Sequence, residues 1–297
     1  MNKPNWKANK ERSTPFALHL ICWLALNISR GFARFWLYPI TLYFFITSSI
    51  VRSASKNYLK RLNLPGDHGY PQVLKHIYYF SSVILDRVYF ITGKTEQFNI
   101  KIYNEKLVAD YSRENLGFIL LGSHVGGFDI LQHLTLKYGQ AKIVMDVSHN
   151  SMITDILYNL NPVMVNDIID ANGDNLLLKI KESLDESRFV AILADRSTNN
   201  QKIVNCSLLG DEISIAKLPF TIAHVLKKPV IVFFGIYKGG NEYEIHFKKL
   251  RDSFDGDRAS RKVDVEADAR LYVKYVQEMI KAYPFNWFNF YDYWGDE

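Results

Sequence analysis

Seven consecutive residues hold the groups best suited to chemistry: Ser123-His124-Val125-Gly126-Gly127-Phe128-Asp129. A neutral imidazole and a nearby carboxylate suit general-base catalysis. His124 would take a proton from an attacking hydroxyl or amine, and Asp129 would fix the ring's tautomer and stabilise the imidazolium that forms. Positions i and i+5 of an ideal helix lie about 140° apart, so the two side chains cannot share one helical face. They meet only if His124 sits in the turn before a helix and Asp129 one turn into it. Gly126 and Gly127 supply the room and torsional freedom for that turn, and both are placed among the substrate-binding residues. Backbone N–H groups at the helix start are expected to stabilise an oxyanion. The spacing alone is unspecific, because eight histidines in a chain of this composition produce such a pair by chance. Its context of strand, Gly-Ser, His, paired glycines and helix singles it out. The competing reading is a structural histidine capping the helix.

Two other kinds of chemistry lack their residues here. A nucleophile elbow needs glycines two positions either side of Ser123, where Leu121 and Val125 stand. A phosphate-binding P-loop needs Gly-Lys-Ser/Thr where the chain has Gly127-Phe128.

The elements that must position these groups follow from periodicity. Four apolar runs, 116–122, 141–147, 188–194 and 229–236, read as buried strands. Residues 97–103 and 243–247 alternate as half-buried strands do, with Lys238-Gly239-Gly240 as the turn before the second. Helices are expected over 71–90, where a proline stands at the start, and over 127–138, 151–160, 173–186, 215–227 and 264–282. Residues 251–262 read as a charged loop. The pattern predicts an α/β fold with a mostly parallel central sheet flanked by helices, preceded by a helical N-terminal region. Functional groups gather at the carboxyl ends of such strands, where His124 falls.

The net charge of +5 is uneven. Residues 1–62 carry ten Lys/Arg against one acidic residue, Glu11, whereas residues 63–297 are net acidic. That divides the chain into a basic, apolar helical segment, 1–62, and an α/β domain, 63–297. A whole-domain nucleic-acid footprint would look different, so no nucleic-acid partner is expected. The apolar stretch 16–51 is broken by Arg30, Gly31 and Arg34 into pieces of 16–28 and 35–51, each short of the about 20 residues a spanning helix needs. No signal-peptide cleavage pattern follows. Arg30 and Arg34, and Arg52, Lys56 and Lys60, repeat at i, i+4 and would form basic stripes on helices. The expectation is a segment lying on an anionic membrane surface, with an ordinary core hairpin as the alternative. Cys22 and Cys206 form no disulfide framework or zinc spacing, and the histidines form no metal motif. Neither metal nor organic cofactor is expected.

With these residues in view, the chain resembles the lysophospholipid acyltransferase superfamily, in the branch of bacterial lipid A late acyltransferases and mycobacterial phosphatidylinositol mannoside acyltransferases. The resemblance covers most of the chain. It is carried by ILLGSHVGGFDIL, AILADRS (191–197), SLLG (207–210), KLPFTIAHVLKKPVIVFF and the aromatic PFNWFNFYDYW. It implies a glycerolipid acyltransferase-like fold. It also implies transfer of an acyl chain from a thioester donor, acyl carrier protein or acyl-CoA, to a hydroxyl or amine of a lipid at the cytoplasmic face of the bacterial inner membrane. His124 matches the family's base and Asp129 its relay partner. Asp195 and Arg196 match a second block implied to bind substrate, Arg196 through its planar fork on a phosphate; a structural ion pair is the alternative for these two. The Pro-Glu-Gly-Thr-Arg block of glycerol-phosphate acyltransferases is absent. The acidic, aromatic Phe290-Tyr291-Asp292-Tyr293-Trp294 replaces the arginines that lipid A enzymes carry, which fits a phosphorylated disaccharide poorly. The N-terminal pattern of Trp6, Glu11-Arg12 and the stretch to Arg61 looks most like acyltransferases of aryl-polyene or flexirubin pathways. A thioester or lipid hydrolase using the same base, or a non-catalytic lipid-binding scaffold, would share these features.

Overall fold

The apolar runs become strands because a parallel strand covered on both faces has no polar side to show. The structure, a computed structural model, describes residues 22–64, 69–147, 159–197, 201–252 and 260–295. Its central sheet holds β1 (Asn99–Tyr103), β2 (Ile119–Gly122), β3 (Ala141–Met145), β4 (Ile168–Asp170), β5 (Phe189–Leu193), β8 (Val230–Gly239) and β9 (Glu242–Arg251). β6 (Ile203–Leu208) and β7 (Asp211–Ala216) form a separate antiparallel hairpin. The sheet order is β1-β9-β8-β2-β5-β3-β4. Every pairing is parallel except β8 with β9, which Gly239 and Gly240 join at positive φ.

Side chains alternate between two apolar layers. Phe118, Leu120, Phe189, Ala191, Ile231 and Phe233 face one; Ile119, Leu121, Val190, Ile192, Val230 and Val232 face the other. The described helices include α1 (Arg30–Thr47), α2 (Ser49–Arg61), α3 (Tyr70–Ile91), α4 (Lys106–Arg113), α5 (Leu131–Tyr138), α6 (Pro162–Val165), α7 (Leu176–Asp185), α8 (Leu218–Leu226) and α9 (Arg261–Ala282). α9 covers the second layer with Tyr272, Val273, Val276 and Ile280. α3 serves both, giving Val73 and Ile77 to the second and Leu85, Tyr89 and Phe90 to the first. The expected α/β fold with a mostly parallel sheet is therefore the observed one. The expected helix over 151–160 and the middle of the 251–262 loop lie outside the described residues.

Three features depart from the sequence reading. The hairpin β6–β7 was not expected, although its alternation around Leu209-Gly210, both at positive φ, is the ordinary hairpin signal. The short β4 at the sheet edge was not expected either. The basic stripe of α1 is not on the surface. Arg30 turns inward to a bidentate pair with the fully buried Asp86, at 2.7 and 2.8 Å, and Arg34 donates to the Tyr237 hydroxyl at 2.7 Å. Arg52 caps the end of α1 through the carbonyls of Phe45 and Ile46, while Lys56 and Lys60 remain exposed.

The outward face of α1 is apolar instead. Phe32, Phe35, Trp36, Leu42, Tyr43 and Ile46 recur at helical spacing and are 43–64% exposed. The opposite stripe, Ala33, Leu37 and Thr41, is buried. Among the described residues no helix is long and apolar enough to cross a membrane.

Candidate functional site

The site forms where β2 and β5 end side by side. Their parallel register pairs Gly122 with Leu193. Extending both chains by two residues sets His124 opposite Asp195. His124 donates from its backbone N–H to Asp195 Oδ2 at 2.9 Å and from Nδ1 to Oδ1 at 2.8 Å. The carboxylate against the histidine is thus Asp195 and not Asp129. Asp129 lies in the 3₁₀ turn Phe128–Ile130 and accepts from Arg87 of α3 at 2.6 Å. The i, i+5 geometry is the reason: once His124 is aligned with β5, the turn carries Asp129 round toward α3.

Gly126 and Gly127 are needed for packing. Gly126 has φ +75°, and a Cβ there would stand 2.0 Å from the Gly235 carbonyl oxygen of β8. Its N–H bonds Asn286 O at 2.6 Å, and that of Gly127 bonds Gly235 O at 2.7 Å. The Val125 N–H reaches Ser123 Oγ at 3.3 Å. The N–H groups of residues 124–127 are therefore all engaged within the protein, and those at the helix start proper belong to the 3₁₀ turn Phe128–Ile130. The nearby positive groups are guanidinium groups, Arg196 and Arg87, both of which act on His124 electrostatically.

The C-terminal aromatic run forms the remaining wall. Val125 bridges Trp287, and the Phe288 N–H donates to His124 O at 2.7 Å. Asn289 donates from Nδ2 to Asp195 Oδ2 at 3.2 Å and accepts from Arg196 Nε at 2.8 Å. Arg196 also reaches Phe288 O at 3.3 Å and lies 5.5 Å over the Tyr291 ring. Tyr293 donates to Asp195 O at 2.6 Å. Behind the wall, buried His76 donates from Nε2 to Trp287 O at 2.8 Å and receives the Ser55 hydroxyl at 2.9 Å. Sequence reasoning passed over Asn286, Asn289 and His76. The available signal was a polar amide recurring inside an aromatic run, since a buried amide must find partners.

The Asp195 side chain is 2% exposed and that of His124 24%. Burial alone would raise the Asp195 carboxyl, but the His124 contacts and Arg196 outweigh it and hold it at about 2. Burial, then Arg196, push the His124 ring below its ordinary value, against the opposing pull of Asp195. The ring is therefore neutral at pH 7. A carboxylate only accepts, so the proton sits on Nδ1 and Nε2 carries the free lone pair. That arrangement can remove a proton from a group placed against Nε2. Among the described residues no three His, Cys, Asp or Glu side chains gather to hold a metal ion.

The family model described as bacterial lipid A biosynthesis acyltransferase matches residues 79–295, which include His124, Asp195 and Asn289. No curated protein matches the chain. Among solved structures, the chain is similar to one titled as the 1-acyl-sn-glycerophosphate (LPA) acyltransferase, PlsC, from Thermotoga maritima. The two are 14% identical over 85% of this chain and 99% of that one, with a TM-score of 0.37.

Proposed function

Because the chain belongs to the bacterial lipid A biosynthesis acyltransferase family, we propose that this acyltransferase moves an acyl chain from a thioester donor to a hydroxyl or amine of a lipid or glycolipid. Acyl carrier protein is the first candidate donor and acyl-CoA the second. The observation that carries the reading is the 2.8 Å bond between His124 Nδ1 and Asp195, which leaves Nε2 as the base.

His124 Nε2 takes the acceptor's proton as its oxygen or nitrogen attacks the thioester carbonyl carbon. The carbonyl π electrons move onto oxygen, giving a tetrahedral oxyanion. Asp195 stabilises the imidazolium formed in this step. A guanidinium suits the oxyanion, and Arg196, next to Asp195 in sequence, acts on His124 more strongly than Arg87 does. Its planar fork also suits a phosphate of the acceptor or of a carrier's phosphopantetheine. The intermediate collapses, the C–S bond breaks, and the thiolate takes the proton from Nε2. The products are an ester or amide and a free thiol. Asp129 holds Arg87 beside the site and supports the base only through that pair.

The exposed apolar stripe of α1 supports attachment in the plane of a membrane interface, with Lys56 and Lys60 attracted to anionic headgroups. On this reading the enzyme works at the cytoplasmic face of the bacterial inner membrane.

The test is transfer from labelled acyl carrier protein into a host lipid extract, with wild type beside His124→Ala. A labelled lipid that disappears in the variant supports the proposal, and its mass names the acceptor. Free fatty acid alone, lost in the variant, would replace it with a hydrolase. A variant as active as wild type would remove His124 from the mechanism. The acid limb of kcat/KM should fall below the ordinary imidazole value of about 6.5, because the base must be neutral and its pKa is lowered.

A further inference from the structure

Asn289 stands between Phe288 and Phe290 and is 3% exposed. A buried amide is costly unless both its ends are used. Its orientation follows from its neighbours: guanidinium groups only donate and carboxylates only accept. Oδ1 therefore faces Arg196 Nε at 2.8 Å and Nδ2 faces Asp195 Oδ2 at 3.2 Å. Asp195 and Arg196 are adjacent in sequence, and in a buried site a guanidinium is the strongest partner a carboxylate can find. A direct fork-to-carboxylate pair would draw the oxygens of Asp195 away from the ring and backbone of His124.

We infer that Asn289 is a positioning residue that keeps the Arg196 guanidinium off Asp195 and so reserves that carboxylate for His124. This rests on the reading of His124 as the base. Only a group that accepts on one side and donates on the other can fill the place. Aspartate accepts from Arg196 but turns a second negative charge on Asp195; leucine does neither. Among the described residues, the charged groups acting on His124 are Asp195, Arg196 and Arg87, the last held by Asp129. The phenols of Tyr272, Tyr291 and Tyr293 beside Asp195 have raised pKa values and stay neutral.

The test uses the full chain as wild type, His124→Ala, Asn289→Asp, Asn289→Leu, Arg196→Met and the Asn289→Leu/Arg196→Met double variant. Thermal unfolding checks each fold. The readouts are kcat and donor KM over a pH series and the NMR signal of the His124 Nδ1 proton. Asn289→Asp and Asn289→Leu should lower kcat about 10–100-fold with KM little changed, as loss of an orienting partner does. The Nδ1 signal should shift or vanish. Asn289→Leu should cost less when Arg196 is already absent, because no spacer is then needed. Folded Asn289 variants with wild-type kcat, pH profile and Nδ1 signal would overturn the inference. So would an equal cost of Asn289→Leu with and without Arg196. Should Asn289→Leu fail to fold, Asn289→Asp and its Nδ1 signal decide. An active His124→Ala would instead overturn the reading of the base, and the Nδ1 signal would still decide whether Asn289 positions the pair.

Discussion

Among the described residues, two histidine–aspartate pairs of nearly equal length lie in different surroundings. His124 and Asp195 meet at 2.8 Å at the strand tips, and His224 and Asp268 meet at 2.9 Å between α8 and α9. In the first pair the imidazole side chain is 24% exposed. In the second both side chains are 5% exposed or less, and Arg251 grips Asp268 at 2.8–3.2 Å. Contact between the two residue types is common to both, so contact does not define a base. On the proposed reading, access to the second ring nitrogen does, together with a carboxylate reserved for the first. The buried pair joins α8 to α9 and β9, and its work is architectural.

The sharpest way to break this contrast is to remove one member of each pair in turn. His124→Gln should lower kcat about 10³–10⁴-fold while leaving the thermal midpoint near wild type, measured by initial rates and calorimetry. Loss of Asp268 should do the reverse. Asp268→Ala removes the buried carboxylate that both His224 and Arg251 bond and should cost about 3–5 kcal/mol in denaturant unfolding, with kcat of the folded fraction unchanged. If the two variants shared one phenotype, the contrast would fail.

A third histidine sharpens it through pH. Burial holds His76 at about 4, against the bond to Trp287 O that pulls it up. Its folded pKa lies below the unfolded value of about 6.5, so the unfolded chain binds the extra proton. The stability this neutral ring contributes is present above about pH 6.5 and is lost as the pH falls to 4. One pKa unit corresponds to about 1.4 kcal/mol, so the window holds roughly 3 kcal/mol. Urea unfolding across that range should show the slope, and His76→Phe should reduce it, leaving the smaller part due to other histidines with lowered pKa values such as His124.

The two carboxylates of the site can be separated next. Asp129→Asn weakens a partly exposed pair with Arg87 and should lower kcat no more than about 10-fold, whereas Asp195→Asn should approach the loss in His124→Gln. Equal losses would restore Asp129 as the relay partner. The smallest effect on the folded protein belongs to α1. Phe35→Ser with Trp36→Ser should change stability by about 0.5 kcal/mol or less, because both side chains face outward. The same pair should weaken flotation with anionic vesicles, and unchanged flotation would exclude this face as the membrane contact.

Part of this was legible in the residues themselves. The central strands were readable because an interior parallel strand is apolar on both faces, as in Ile119–Leu121 and Val230–Phe234. The helix α3 was readable from its length and the proline at its start. The direction of Arg30 and Arg34 was not, because i, i+4 spacing says that two side chains share a face but not which face. Asp86, which decides it, lies 56 residues away. Nor was the partner of His124, since a motif of nearby residues draws attention to Asp129, whereas strand adjacency joins positions 71 apart.

By itself the sequence determined the strand and helix periods, the close-packed glycines after β2 and the histidine at a strand end, because these depend on local backbone geometry and on alternation of polarity. The tertiary structure alone decided which carboxylate meets His124, that Asn289 stands between Asp195 and Arg196, and which His–Asp pair is open. These follow from sheet order and register, which bring together the ends of β2 and β5 and the C-terminal run, and no local pattern encodes that neighbourhood.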